Sequence, residues 1–332
     1  MVLLDGIRGL AAIGVVLFHV QFDDVTMAFS RGYLFVDLFF LLSGFVITLA
    51  FEPRFARGLG VGRFFAQRLS RFRPLILVGA SLGILGLVAR GQPLSLSLAA
   101  FALGVGMIPL PSRGPIFPVN GPQWSLFLEL MANALHAVLL HRLRSRTLLA
   151  IAAASAIAMM LLAAKAGTLD LGLTGGQFPA AVARTGWSYI LGVILARRWR
   201  VAPPARLADW RVCLVLPVVV VCVLPFLPGP DWLRDVAVVM LVFPTVFWMA
   251  AAASPPVWAR RPLAALGAIS FPLYAVHMPI LILGNHLGDL PGRIVAAAMA
   301  LTLATLLAMV SGRRAGPAAD TPVSPRASFA DA

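Results

Sequence analysis

Apolar residues in this chain fall into long unbroken runs, and short polar segments separate them. The runs lie at about 9–22, 34–51, 75–89, 123–141, 148–164, 181–196, 212–227, 236–253, 264–286 and 294–311. Each approaches the roughly 20 residues that an α-helix needs to cross a hydrocarbon core of about 30 Å. The pattern predicts ten transmembrane helices. One further apolar segment, 94–110, is ambiguous: it is short, carries Ser95 and Ser97, contains Gly104 and Gly106, and reaches Pro109.

Charge resolves the ambiguity. With a cytoplasmic N-terminus and no crossing by 94–110, the inner loops are 52–74, 142–147, 197–211, 254–263 and the tail. They hold Arg54, Arg57, Arg63, Arg68, Arg71 and Arg73, then Arg142, Arg144 and Arg146. Arg197, Arg198, Arg200, Arg206 and Arg211 follow, then Arg260 and Arg261, then Arg313, Arg314 and Arg326. With Arg8, that is 20 of the 27 Lys and Arg residues on the inside. A crossing by 94–110 would turn every later cluster outward, against the positive-inside rule. The segment is therefore expected to be re-entrant or interfacial, which membranes tolerate where protein buries the backbone.

Composition agrees. The chain is 60% hydrophobic and 12% charged, with a mean hydropathy of +0.91; soluble domains are about 45–50% apolar. The expected fold class is an all-α polytopic transmembrane bundle of about ten spans plus one re-entrant or interfacial segment. An integral membrane domain over 1–311 precedes a Pro-, Ala- and Ser-rich tail, 312–332, read as disordered and cytoplasmic. The net charge of +14 does not point to nucleic acid, because the arginines sit in short clusters between apolar runs. Lys165 is the sole lysine. Cys213 and Cys222 indicate neither a disulfide framework nor a metal site.

Polar residues inside the runs are the candidates for chemistry, since they are costly in lipid. Arg8 and His19 stand eleven residues apart, almost three helical turns, so they share one face with roughly 16 Å of rise between them. The plain reading is an interface anchor and a packing histidine; the functional one is a histidine base beneath which a cation waits. Asp37 near the outer end of the second run reads as a helix cap or as a group that orients a histidine or arginine. Arg68 and Arg71 share a face before Pro74, serving topology or clamping a phosphorylated cofactor. Trp124 and Ser125 open the fourth run, where Ser125, Glu129, Asn133 and His136 form a polar stripe that must face the bundle interior. Glu129 is one of only two glutamates. Ser270, Tyr274 and His277 lie on one face of a run that Pro272 and Pro279 are expected to kink. His136, His141 and His286 receive no role. By helical rise, His19, His277 and Glu129 fall near the middle or outer half of the bilayer, with Arg68 and Arg71 at the cytoplasmic mouth below them.

In this order the segments resemble the acyltransferase family 3 membrane proteins. Leu4-Asp5-Gly6-Ile7-Arg8-Gly9 through His19 is similar to the family's opening Arg-x10-His motif. Val36-Asp37-Leu38-Phe39-Phe40 with Ser43-Gly44-Phe45 is similar to its second signature. Arg68-x-x-Arg71-x-x-Pro74 matches the third, Trp124-Ser125-Leu126-x-x-Glu129 the fourth, and Ser270-x-x-x-Tyr274-x-x-His277 the late one. The chain departs at Ala132 and Asn133, where the family commonly has Phe-Tyr, and this bears on acceptor contacts.

The resemblance implies transfer of an acyl group, usually acetyl, from cytoplasmic acyl-CoA to a hydroxyl of a carbohydrate or lipid-linked glycan of the cell envelope. His19 would be catalytic, as base or acyl carrier, with Glu129 supporting it. Arg8, Arg68 and Arg71 would bind the donor. Asp37, Trp124, Ser125, Tyr274 and His277 would support the site or contact substrate, and Glu129 or Asp37 would hold the imidazole. No metal is expected. The implied location is the bacterial inner membrane, multi-pass, with both termini cytoplasmic. Many relatives append an extracytoplasmic hydrolase-like domain; this chain is too short for one, so it is expected to act alone or with a separate extracytoplasmic partner. The competing class is a transporter or proton-coupled channel without covalent chemistry. Against it stands the lack of any internal repeat, which transporters often carry.

Overall fold

The structure, a computed structural model, describes residues 1–20, 27–111, 114–205, 208–284 and 290–314. They form α1 (Val2–Val20), α2 (Phe35–Ala56), α3 (Val61–Ala89), α4 (Leu94–Val105), α5 (Gln123–Val138), α6 (Ser145–Ala166), α7 (Phe178–Val201), α8 (Trp210–Val223), α9 (Asp231–Ala237), α10 (Phe243–Ala252), α11 (Val257–Gly284) and α12 (Leu290–Arg314). Among the described residues the only β pairing is an isolated bridge between Pro115 and Thr174. A π-helical turn over Val238–Val242 joins α9 to α10 as one rod. The all-α bundle predicted from the apolar runs is what forms. α12 continues past residue 311 to Arg314; the rest of the expected tail, and His286, lie outside the described residues.

Every one of the ten apolar runs carries a helix, but they are not equally long. Eight helices are long and apolar enough to cross a membrane: α1, α2, α3, α6, α7, the α9–α10 rod, α11 and α12. The two shorter ones are α5, with 16 residues, and α8, with 14, which a 3₁₀ turn extends to Phe226. α4 has 12 residues, about 18 Å at 1.5 Å per residue, too short for a core of about 30 Å.

Helix directions show that α4 turns back rather than crosses. α3 and α5 run antiparallel: Phe64 packs with Ala137, Arg68 pairs with Glu129 at 3.3 Å, and Gly83 lies against Val119. The chain thus leaves α3 and enters α5 at the same end of the bundle. α1 and α11 run parallel, with Gly6 beside Leu263, Gly9 beside Leu266 and His19 beside His277. α2 and α7 are also parallel, joined by Asp37–Arg184 at 2.6 Å and Glu52–Arg197 at 2.7 Å.

Close helix contact rests on small residues, as expected where apolar burial gives no drive between helices in lipid. A Cβ added at Gly9 would come within 2.5 Å of the Leu266 carbonyl oxygen, so only glycine lets α1 and α11 approach this closely. Prolines inside helices leave carbonyls without an N–H partner, and side chains from other helices take them up. Pro279 frees the Ala275 carbonyl, which accepts from Asn120 Nδ2 at 2.9 Å. Pro53 frees the Leu49 carbonyl, which accepts from Arg200 at 3.3 Å.

Candidate active site

A cavity of about 1240 Å³ runs between α1, α2, α3, α5 and α11, from Met1 and Arg260 at one end to Ser125 and Tyr274 at the other. Its wall carries Arg8, Arg68, Arg71 and Arg260 against Asp5 and Glu129. Four guanidinium groups facing two carboxylates leave the space positive, as an anionic ligand requires.

The arginines are held differently. On α1, Arg8 donates Nε–H to Ser270 Oγ at 2.9 Å and Nη2–H to the Gly267 carbonyl at 2.8 Å, with Asp5 at 3.3 Å. It is thereby braced on α11, and two aligned helix faces create the contact. Arg68 is buried rather than placed at an open mouth. It pairs with Glu129 at 3.3 Å and lies over the Phe72 ring, while its Nε has no hydrogen-bond partner among the described residues. Arg71, one turn on, is exposed.

The polar stripe of α5 does face inward, yet its members serve separate partners. Ser125 Oγ meets the Tyr274 hydroxyl at 2.6 Å, tying α5 to α11. Glu129 accepts from Ser43 Oγ at 2.7 Å as well as from Arg68. Asn133 accepts from the Tyr189 hydroxyl at 2.9 Å. Trp124 is buried against Phe40, with Arg184 above its ring.

The histidines lie beyond the cavity's far end. Tyr274 packs edge-on against Phe39 at 5.7 Å and tilts against His277, also at 5.7 Å. His277 Nε2 lies 3.3 Å from His19 Nδ1. His19 Nδ1 is 2.9 Å from the Val15 carbonyl, and His277 Nδ1 is 2.9 Å from the Tyr274 carbonyl. The two motifs most distant in sequence, on α1 and α11, therefore meet through their imidazoles.

A family model described as "Acyltransferase domain", that of acyltransferase family 3, matches residues 2–313. The chain belongs to acyltransferase family 3. That membership makes it a multi-pass membrane acyltransferase, of the O-acyltransferase class that its motifs imply, and sets aside the transporter reading. Over 345 residues this acyltransferase is 28% identical to the putative membrane-bound transacylase BcsY of Komagataeibacter xylinus, covering 94% of this chain and 82% of BcsY. It is 36% identical over 184 residues to Protein 2 in the picA locus of Rhizobium radiobacter, covering 49% of this chain and 95% of that protein. A 76-residue stretch is 34% identical to the O-acetyltransferase OatA of Staphylococcus aureus, covering 22% of this chain and 12% of OatA. No solved structure matches.

One expectation about the candidate site, that Glu129 or Asp37 holds the imidazole, is corrected. Neither Glu129 nor Asp37 holds the His19 imidazole. Glu129 is taken by Arg68 and Ser43. Asp37 is buried and bonded to Arg184, at 2.6 Å, and to Ser188, at 3.3 Å. Both carboxylates satisfy cations from other helices, and His277 occupies the place beside His19. His136 was given no role, yet it is fully buried between Tyr189, 3.3 Å away, and Glu52, 3.5 Å away.

Arg184 was missed altogether. It is 0% exposed and, besides Asp37, donates to the Leu171 and Tyr33 carbonyls. Its signal was present: it is the one arginine inside the ten apolar runs, and an intramembrane cation calls for a named partner. Ser43 carried no comparable signal, since a hydroxyl in a membrane helix usually bonds its own backbone.

Proposed function

We propose that this acyltransferase moves an acyl group, acetyl foremost, from cytoplasmic acyl-CoA to a hydroxyl of a cell-envelope carbohydrate or lipid-linked glycan. It would do so in the bacterial inner membrane with both termini cytoplasmic. The observation that carries the reading is the positive cavity, ending one helical turn short of the His277–His19 pair. Acyl-CoA is a polyanion at one end and a thioester at the other. Its phosphates suit the fork of Arg68 and the exposed Arg71, and the unpaired, buried Arg68 Nε is a donor with unused capacity. The pantetheine arm would extend along the cavity toward Ser125 and Tyr274. Delivery to His19 would then pass Tyr274 and Phe39, which line the cavity on that side and pack edge-on there.

In the reaction the acceptor O–H gives its proton to His19 Nε2, and the freed oxygen attacks the thioester carbonyl carbon. The C–S bond breaks as the C–O bond forms, the thiolate leaves, and the imidazolium returns the proton to sulfur. Products are an ester and free thiol, so charge and protons balance. Reaction through an acyl-His19 intermediate splits the same transfer into two steps.

Purified protein in lipid nanodiscs tests the reading. It should consume acetyl-CoA and release thiol when given envelope glycan, and mass spectrometry should find a new ester on the glycan. Folded protein that binds no acyl-CoA would overturn it. OatA, by name an O-acetyltransferase, and BcsY, by name a transacylase, support the reaction type; the acceptor's identity waits on the glycan measurement.

A further inference from the structure

We infer that His277 is a positioning residue that fixes the tautomer of His19, doing with a neutral ring what a carboxylate does in a Ser-His-Asp arrangement. The inference rests on the reading of His19 as the reacting histidine.

The hydrogen positions follow from the contacts. His277 Nδ1 faces only acceptors, the Tyr274 carbonyl at 2.9 Å and the Leu273 carbonyl at 3.2 Å. A lone pair pointed at two carbonyl lone pairs would be repelled, so the proton sits on Nδ1. The neutral ring then presents a lone pair at Nε2, 3.3 Å from His19 Nδ1. His19 Nδ1 independently faces the Val15 carbonyl at 2.9 Å, so it too carries its proton and shares it between Val15 and His277. Two separate carbonyl contacts thus assign the two tautomers, and the assignments agree. The result leaves the lone pair of His19 on Nε2, the nitrogen free to take a proton or an acyl group.

The ring that shares this proton with the Val15 carbonyl is itself held firmly. His277 is 0% exposed. Along its face of α11, each turn is tied to another element: Ser270 to Arg8, Tyr274 to Ser125, and the proline-freed Ala275 carbonyl to Asn120. When His19 becomes positively charged at Nε2, its Nδ1–H bond to the His277 lone pair strengthens, as charge-assisted bonds do. His277 therefore favours the charged state over the resting one, which is the requirement for lowering a barrier.

Three variants and one spectrum test it. His277→Phe keeps the ring shape without the acceptor; His277→Gln returns an acceptor near the position of Nε2; His19→Ala removes the base. With acetyl-CoA and envelope glycan, His277→Phe should lower kcat by about 10²-fold, less than the ~10⁴-fold cost of losing a charged orienting group, with KM for acetyl-CoA within about twofold. His277→Gln should recover at least about tenfold of that loss. Solid-state ¹⁵N NMR of histidine-labelled wild-type protein should show His19 as the Nδ1–H tautomer, whether or not the variants fold. A wild-type kcat in His277→Phe, a His277→Gln no better than His277→Phe, or an Nε2–H tautomer at His19 overturns the inference while leaving a dead His19→Ala and the catalytic reading intact. A fully active His19→Ala overturns both.

Discussion

The Arg68–Glu129 pair and the exposed Arg71 give the donor reading its sharpest residue-level consequence. Lysine keeps the charge but loses the planar fork. Arg71→Lys should weaken acyl-CoA binding roughly tenfold, about the value of one charge-assisted hydrogen bond. Arg54→Lys, half-buried on α2, bonded to Gln67 and outside the cavity wall, should leave binding unchanged. Isothermal titration with a non-hydrolysable acyl-CoA analogue checks this, and equal losses at both positions would remove the clamp. Arg184 tests structure instead of binding. Breaking a buried ion pair by removing one partner typically costs about 3–5 kcal/mol, so Arg184→Leu should lose that much, and Asp37→Leu/Arg184→Leu should recover part of it, measured by thermal unfolding in detergent. His19 and His277 were legible in the chain because polar groups inside apolar runs are conspicuous, and Arg8 because it stands at the mouth of one, three turns before His19. Their partners were not. Asp37 meets a residue 147 positions away, and helical periodicity says which face a side chain occupies but not which helix faces it.

At the scale of elements, the apolar runs located each helix, and arginine clusters identified the segment that does not cross. The antiparallel α3 and α5 bear that out. What the runs could not convey is closeness of approach. α1 and α11 come close enough to bring His19 to His277 because Gly6, Gly9 and Gly267 leave room in their seam, Gly9 for the Leu266 backbone. Gly9→Ala forces that seam apart, and overpacking of this kind costs about 1–3 kcal/mol. Thermal unfolding should register the loss, and acyl transfer should fall further than stability because the imidazole pair separates. An unchanged melting temperature would show that the seam can yield. Asn120 makes a parallel case: its amide reaches the Ala275 carbonyl that Pro279 frees, a need visible in the proline but not in any feature of residue 120 itself.

At the scale of the whole molecule, eight long helices, two shorter ones and a turned-back α4 form one bundle among the described residues. Both ends of the described chain fall on one side, since α1 and α11 run parallel and α12 returns. Reporter fusions after Arg146 and after Arg314 should both score cytoplasmic; an external score at either position would contradict the orientation on which donor entry depends. The central claim is that His19, which lies one helical turn beyond the end of the positive cavity and is bonded to His277, is the reacting group. Its most direct test is the acyl-transfer rate of purified, folded His19→Ala beside a His141→Ala control, the latter's ring meeting the His136 carbonyl and Phe55 outside the cavity wall. The account predicts a loss of about 10²-fold to 10⁴-fold or more for His19→Ala and a wild-type rate for His141→Ala. A wild-type rate in folded His19→Ala would contradict it.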